Sequence, residues 1–237
     1  MGAKRPQLRI EQSELVYHGH LETPLLRLLT IESGTHDRLL AALEPFGARL
    51  ENLTINRGQD LSQASFAITF LGGYATLRLW AHWLELRFSF GGDDLRGLPP
   101  LTADRLSDLL VHSTAALQAA DGRARIVDHT LTMSLHGRLV GTTVAELMAR
   151  YVNPPPETLG SPASSGVRYL FLGSEEVKST WLTFEPSTAI TPDGLYVTCA
   201  IILDGSLVST ANVCPLAKAR LDQILSSADL PVEVFHA

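Results

Sequence analysis

Three short stretches carry side chains whose types and spacing could do chemistry. His18 and His20 flank Gly19, and residues two apart on a strand point to the same side, so the two imidazoles could grip one metal ion. No third ligand stands at a recognisable spacing, and the plain alternative is a pair of polar residues at a strand end. In "WAHW", residues 80–83, His82 sits between Trp80 and Trp83. Aromatic rings on either side of an imidazole could form a stacking platform for a base or another flat ligand. The competing account packs one tryptophan under helices and leaves His82 as a hydrogen-bonded turn residue. The strand that follows runs into Gly91-Gly92-Asp93-Asp94, where paired carboxylates could hold divalent metals.

A strand ending in GGDD resembles the metal-binding turn of nucleotide-cyclising and polymerising palm domains, including the large subunit of type III CRISPR complexes. That resemblance implies that Asp93 and Asp94 hold metals that activate a hydroxyl and clamp a triphosphate. It covers four residues of 237 and departs from the pattern directly after them, because LRGLPPLTADRL leads through two prolines into a helix instead of a second strand. No third carboxylate on an earlier strand and no nearby cluster of Lys or Arg completes it, so a solvent loop is the stronger reading. His112 follows Asp104 and Asp108 at helical spacing, a solvated stripe, and His129 lies on the apolar side of its strand, where a satisfied core histidine is expected. Glu175-Glu176 reads as an acidic turn. No nucleophile elbow, Walker loop or dinucleotide fingerprint occurs. Neither catalytic residues nor a cofactor are assigned, and the metal-dependent nucleotide reaction at Asp93 and Asp94 stands as the alternative.

Parity identifies the elements that must position these residues. If Gly72-Gly73 is a turn, Phe70 faces Ala75, Ile68 faces Leu77 and Phe66 faces Leu79, all on one face. Past Trp80 the apolar positions change from odd (Ala75, Leu77, Leu79) to even (Leu84, Leu86, Phe88, Phe90), which a straight strand cannot do without turning its core face outward. Either a tight hairpin or a β-bulge at Ala81-His82 restores the face. Ala-His is poor chemistry for a primed turn, which favours the bulge. Helices flank this sheet, one capped by Thr35 and ended by Gly47, another capped by Thr102 and ended by Asp121-Gly122.

The second half repeats the theme. VDHTLTMSL alternates cleanly, Thr143 and Glu146 form a capping box, three further strands follow a Pro/Ser/Gly-rich loop at 153–166, and a closing helix starts at Pro215. "YHGHL" from Tyr17 and "LHGRL" from Leu135 share His-Gly-x-Leu at a strand end. The predicted fold is α+β, an internal duplication of two similar halves, 1–122 and 123–237, each an antiparallel sheet with helices on one face and a cleft between them.

Composition bounds the function. Hydrophobic residues make up 45% and charged residues 19% of the chain, ordinary values for a globular protein. A net charge of −6 gives no general attraction to nucleic acid. The longest apolar run, LYVTCAIIL, is strand-sized rather than membrane-spanning, and MGAKRPQLRIEQ lacks the apolar stretch of a secretory signal, so a cytoplasmic protein is expected. Cys199 and Cys214 read as buried thiols. Without a catalytic constellation, the expected role is non-enzymatic binding or assembly: a cleft or sheet edge that takes a partner protein, a peptide or a flat ligand. The hydroxyl-rich strand face of Thr130, Thr132 and Ser134 is a candidate for self-association into a homo-oligomer.

Overall fold

The hairpin registers decide how the sheet is assembled. In the computed structural model, which describes residues 7–60, 63–91, 103–151, 166–173 and 175–227, β3 (Ser65–Phe70) pairs with β4 (Ala75–Trp80) as parity requires: Phe66 opposite Leu79, Ile68 opposite Leu77, Phe70 opposite Ala75. The intervening turn places Gly72 and Gly73 at positive φ, where a side chain would be strained. The next connection is a hairpin, and the expected bulge is absent. Leu79 lies opposite Leu84 and Leu77 opposite Leu86 on β5 (Trp83–Gly91). Tertiary hydrogen bonds compensate for the poor turn chemistry: the carbonyls of Ala81 and His82 accept from the Leu25 and Leu21 amides, each at 2.8 Å.

Two strands of 15 residues form the middle of the sheet, β1 (Gln7–Leu21) and β6 (Ile126–Val140). They pair antiparallel along nearly their whole length, from Gln7 opposite Val140 to Leu21 opposite Ile126. The expectation of a separate sheet in each half is therefore corrected. The halves share one nine-stranded antiparallel sheet, because the two central strands satisfy each other's backbone groups. Outward from β1 run β5, β4, β3 and the short β2 (Leu53–Asn56); outward from β6 run β9 (Gly194–Asp204), β8 (Val177–Pro186) and β7 (Val167–Leu172).

Four α-helices occur among the described residues: α1 (Thr35–Leu43), α2 (Ala103–Ala120), α3 (Val144–Met148) and α4 (Val213–Ser227). Their apolar residues join one core with the strand positions that point their way, among them Leu39, Leu109, Leu147 and Leu221 with Tyr17, Leu86, Leu135 and Val197. Thr35 is the first residue of α1 rather than its cap. The cap position falls on Gly34, and the Thr35 hydroxyl sits 2.6 Å from that of Ser33. The Thr143–Glu146 capping box of α3 is present. Pro215 lies inside α4, two residues after its start at Val213. Thr102 lies outside the described residues.

Close approach at the central pair requires glycine twice. A Cβ on Gly19 would come within 2.9 Å of the Ile126 side chain, and one on Gly137 would come within 2.9 Å of Leu8 and collide with the Arg9 carbonyl oxygen. His129, on β6, is buried at the same seam. A carbonyl can only accept, so Nε2 of His129 carries the proton and donates to Val208 O at 3.2 Å, while Nδ1 accepts from the Tyr17 hydroxyl at 2.9 Å. Burial is the main reason that its pKa falls below the ordinary histidine value, and burial likewise pushes the Tyr17 pKa up. This is the satisfied core histidine expected at position 129.

Gly137→Ala should destabilise the fold by about 1–3 kcal/mol in urea denaturation, since backbone must shift to admit the methyl. Gly122→Ala, where an added Cβ meets nothing within 4 Å, should change it by less than about 0.5 kcal/mol. The unfolded chain protonates its histidines near the ordinary value while the folded chain resists protonating His129. Stability is thus full above that value and declines as pH falls through it, by at most about 1.4 kcal/mol per pH unit for one group. His129→Gln, which keeps a donor and an acceptor, should make the fall in urea midpoint between about pH 7.5 and about pH 5.5 shallower; an unchanged slope would remove His129 as a cause.

Candidate functional site

The face of the sheet opposite the core carries the sequence-predicted aromatic and histidine residues together. From Gln12 to His20 the even-numbered β1 positions project there, so His18 and His20 stand beside β5, with His20 opposite Trp83 and His18 opposite Glu85. Trp83 lies at the centre of an edge-on arrangement. Its ring centroid is 5.6 Å from Trp80, 5.9 Å from His20 and 6.2 Å from His18, at interplanar angles of 68°, 74° and 65°. His82, in the turn, lies 6.5 Å away and tilted by 48°. Edge-to-face packing of this kind holds a ring in place while leaving part of it open, and Trp83 is 36% exposed.

The two imidazoles do share one side of β1, 6.2 Å between centroids. His18 Nε2 donates to the Glu85 carboxylate at 3.0 Å, and Glu85 is buried beneath it with Arg87 Nε 3.5 Å from its other oxygen. Burial and the neighbouring His18 lower the His20 pKa, which favours the neutral aromatic ring beside Trp83. No group of three or more His, Cys, Asp or Glu capable of holding a metal occurs among the described residues. Asp93 and Asp94 lie outside the described residues.

Two arginines that the sequence did not mark as candidate site residues complete this face. Arg78 lies over the Trp80 ring at 5.1 Å, and on the far side of the sheet Arg168 lies over Trp181 at 4.3 Å. Their signal was the period of two: Arg78 and Trp80 alternate with core leucines, as does Trp181 within "STWLTFE". Several other charges on the face are paired with each other, Arg87 with Glu14, Lys178 with Asp128 and Asp204, and Arg138 with Glu11. Thr130, Thr132 and Ser134 belong to the central strand β6, with Ser134 donating to Thr198 and accepting from the Tyr196 hydroxyl.

The halves leave no cleft through the sheet, because β1 and β6 are hydrogen-bonded neighbours. A cavity does open on the core side, where the end of α2 and Leu21 from the first half meet residues 124–129 and 205–210 from the second. At the outer edge, β7 exposes Leu170 and Leu172 on the face shared with Trp83, while Tyr169 and Phe171 pack inward. Both cysteines are buried and unpaired, and burial raises both thiol pKa values, which suppresses the reactive thiolate. No described helix is long and apolar enough to cross a membrane.

No protein-family model and no curated protein matches this chain. Among solved structures, the regulatory subunit of aspartate kinase from Thermus flavus aligns with this chain at 10% identity over 92% of this chain and 98% of that one, with a TM-score of 0.17. The ligand-free form of the regulatory subunit from Thermus thermophilus gives 10% identity over the same shares and a TM-score of 0.14.

Proposed function

We propose that this chain is a non-enzymatic binding protein whose helix-free sheet face receives a polypeptide segment of a partner, with Trp83 as its central contact and Trp80 and His82 beside it. One observation carries this reading: every described α-helix contributes to the core on a single side of the nine-stranded sheet, while the other side presents tryptophans fixed by their neighbours. Binding faces concentrate energy in a few aromatic residues held in place before the partner arrives, and tryptophan is the most enriched of these. The charges of the face argue for a polypeptide over a polyanion. Arg87, Lys178 and Arg138 already have carboxylate partners and Arg78 and Arg168 lie over tryptophan rings, so most of the positive charge of the described face is already engaged. A cytoplasmic setting is part of the same proposal, in keeping with two buried free thiols.

The proposal extends to the origin of the face. Residues 1–122 and 123–237 are read as two copies of one unit, related by an approximate twofold axis through the β1–β6 pair. Three features support this. The strand order outward from β1 (β5, β4, β3) matches that outward from β6 (β9, β8, β7). Gly19 is crowded by Ile126 and Gly137 by Leu8 at the same distance. The echo that aligns Tyr17 with Leu135 also aligns Leu8 with Ile126.

Peptides selected from a random display library on the purified chain test the assignment. Binding should weaken by roughly tenfold or more on Trp83→Ala and stay unchanged on Val111→Asp, which alters an exposed position of α2 on the opposite side. Selected peptides that bind Trp83→Ala as tightly as the native chain, with native circular dichroism in both, would overturn it.

A further inference from the structure

We propose that the cavity on the core side binds a small organic monocarboxylate, with its carboxylate on Arg125 and its apolar body against Leu117, Ile126 and Val208. The cavity measures about 270 Å³. That is below the usual range for drug-sized ligands and, at about 30 Å³ per water in the liquid, room for on the order of nine waters or a molecule of about that many non-hydrogen atoms.

The lining determines what fits. Three walls are apolar: Leu117 from α2, Ile126 from the start of β6 and Val208 from the β9–α4 connection. The floor includes His129, whose two ring nitrogens are already engaged by Tyr17 and Val208, and whose lowered pKa keeps it neutral near pH 7. Of the remaining polar side chains, the Thr114 hydroxyl donates to the Leu110 carbonyl within α2, while Arg125, Gln118, Ser209 and Thr210 have no side-chain hydrogen-bond or ion-pair partner among the described residues. Among the described residues no Asp, Glu or Lys lines the cavity, and Arg125 is the one permanent charge among them.

A guanidinium without a carboxylate partner, set beside apolar walls, is matched by a planar anion of single charge. Its fork donates two parallel hydrogen bonds to a carboxylate, and a single negative charge matches the single positive charge of this exposed arginine. A phosphate dianion would exceed the one positive charge present and would leave the apolar walls uncovered. The backbone holds the arginine in place, since the Glu22 amide donates to the Arg125 carbonyl at 2.9 Å. The cavity is separate from the Trp83 face and does not depend on the function proposed for it.

Titration of the ¹⁵N-labelled full chain with sodium isobutyrate, sodium benzoate, isobutyramide and inorganic phosphate, followed by amide chemical shifts, tests the assignment. At least one of the two carboxylates should shift the amides of residues 117, 125, 126 and 208–210 saturably, and isobutyramide should bind at least about tenfold more weakly than isobutyrate. Arg125→Gln should cost the carboxylate about tenfold, Gln118→Trp should obstruct the mouth from an exposed position, and Trp83→Ala should leave binding unchanged. Lack of saturation with both carboxylates overturns the proposal, as does equal binding of isobutyrate and isobutyramide or undiminished binding by a folded Arg125→Gln variant. Tighter binding of phosphate than of either carboxylate assigns the site to a different anion and overturns it as well.

Discussion

The antiparallel pairing of β1 with β6 is the constraint on which the rest of the structure depends. Side chains alternate along both strands, so the register of this one ladder sends Leu15, Tyr17, Leu131, Met133 and Leu135 to the helices and His18, His20, Thr130 and Thr132 to the other side. A slip of one residue would exchange the two sets, exposing the leucines and burying hydroxyls without partners. Each strand carries one extra residue in the ladder, near Ile10 on β1 and beside the partners of His20 and Leu21 on β6. These irregularities bend the long strands where Gly137 and Gly19 allow close approach. The Tyr17–His129 hydrogen bond joins side chains of the two strands within the buried layer, where a polar pair is favourable only because both partners are fully engaged.

Since the seam fixes both faces at once, packing the helices on one side determines the chemistry of the other. The core side takes nearly all the large apolar side chains. The outer side is left with residues that must be comfortable near water: threonines, charges, many of them paired, and tryptophans that lie under arginines or meet edge to face. Partly exposed ion pairs such as Arg87–Glu14 stabilise by only about 0–1 kcal/mol each, so stability is a weak explanation for so many of them on one face. Their larger effect is to lower the net charge of the surface around its aromatic residues.

Local rules made part of this legible in the sequence. The β3–β4 register followed from parity and two glycines, the α3 cap from Thr143 and Glu146, and the role of His129 from its place in an alternating strand. The fate of Ala81-His82 did not, because the turn is held by the amides of Leu21 and Leu25, about 60 positions away in sequence, and intrinsic turn preference is silent about such bonds. Neither could one sheet be told from two. The union of the halves rests on a ladder between residues more than 100 positions apart, and each half alone satisfies the same hydrophobic pattern. The clustering of His18 and His20 with Trp83 required that ladder's neighbour, the β1–β5 pairing, which no spacing within either segment reveals.

The end of β1 joins the two candidate sites physically. His20 projects to the outer face against Trp83, and the next residue, Leu21, projects to the core side and lines the cavity. Three backbone hydrogen bonds hold the short segment from Leu21 to Leu25: Leu21 and Leu25 donate to the 81–82 turn, and Glu22 donates to the carbonyl of Arg125. The same segment therefore sets the position of the turn that presents Trp83 and of the strand start that presents Arg125. Loop-borne side chains lose precision when their backbone is free to move, and sites supported by such cross-bonds keep it. A segment of five residues bonded to both sites explains how an unfavourable Ala-His turn and a solvent-facing arginine can each occupy a defined position without a cap, a metal or a disulfide of their own.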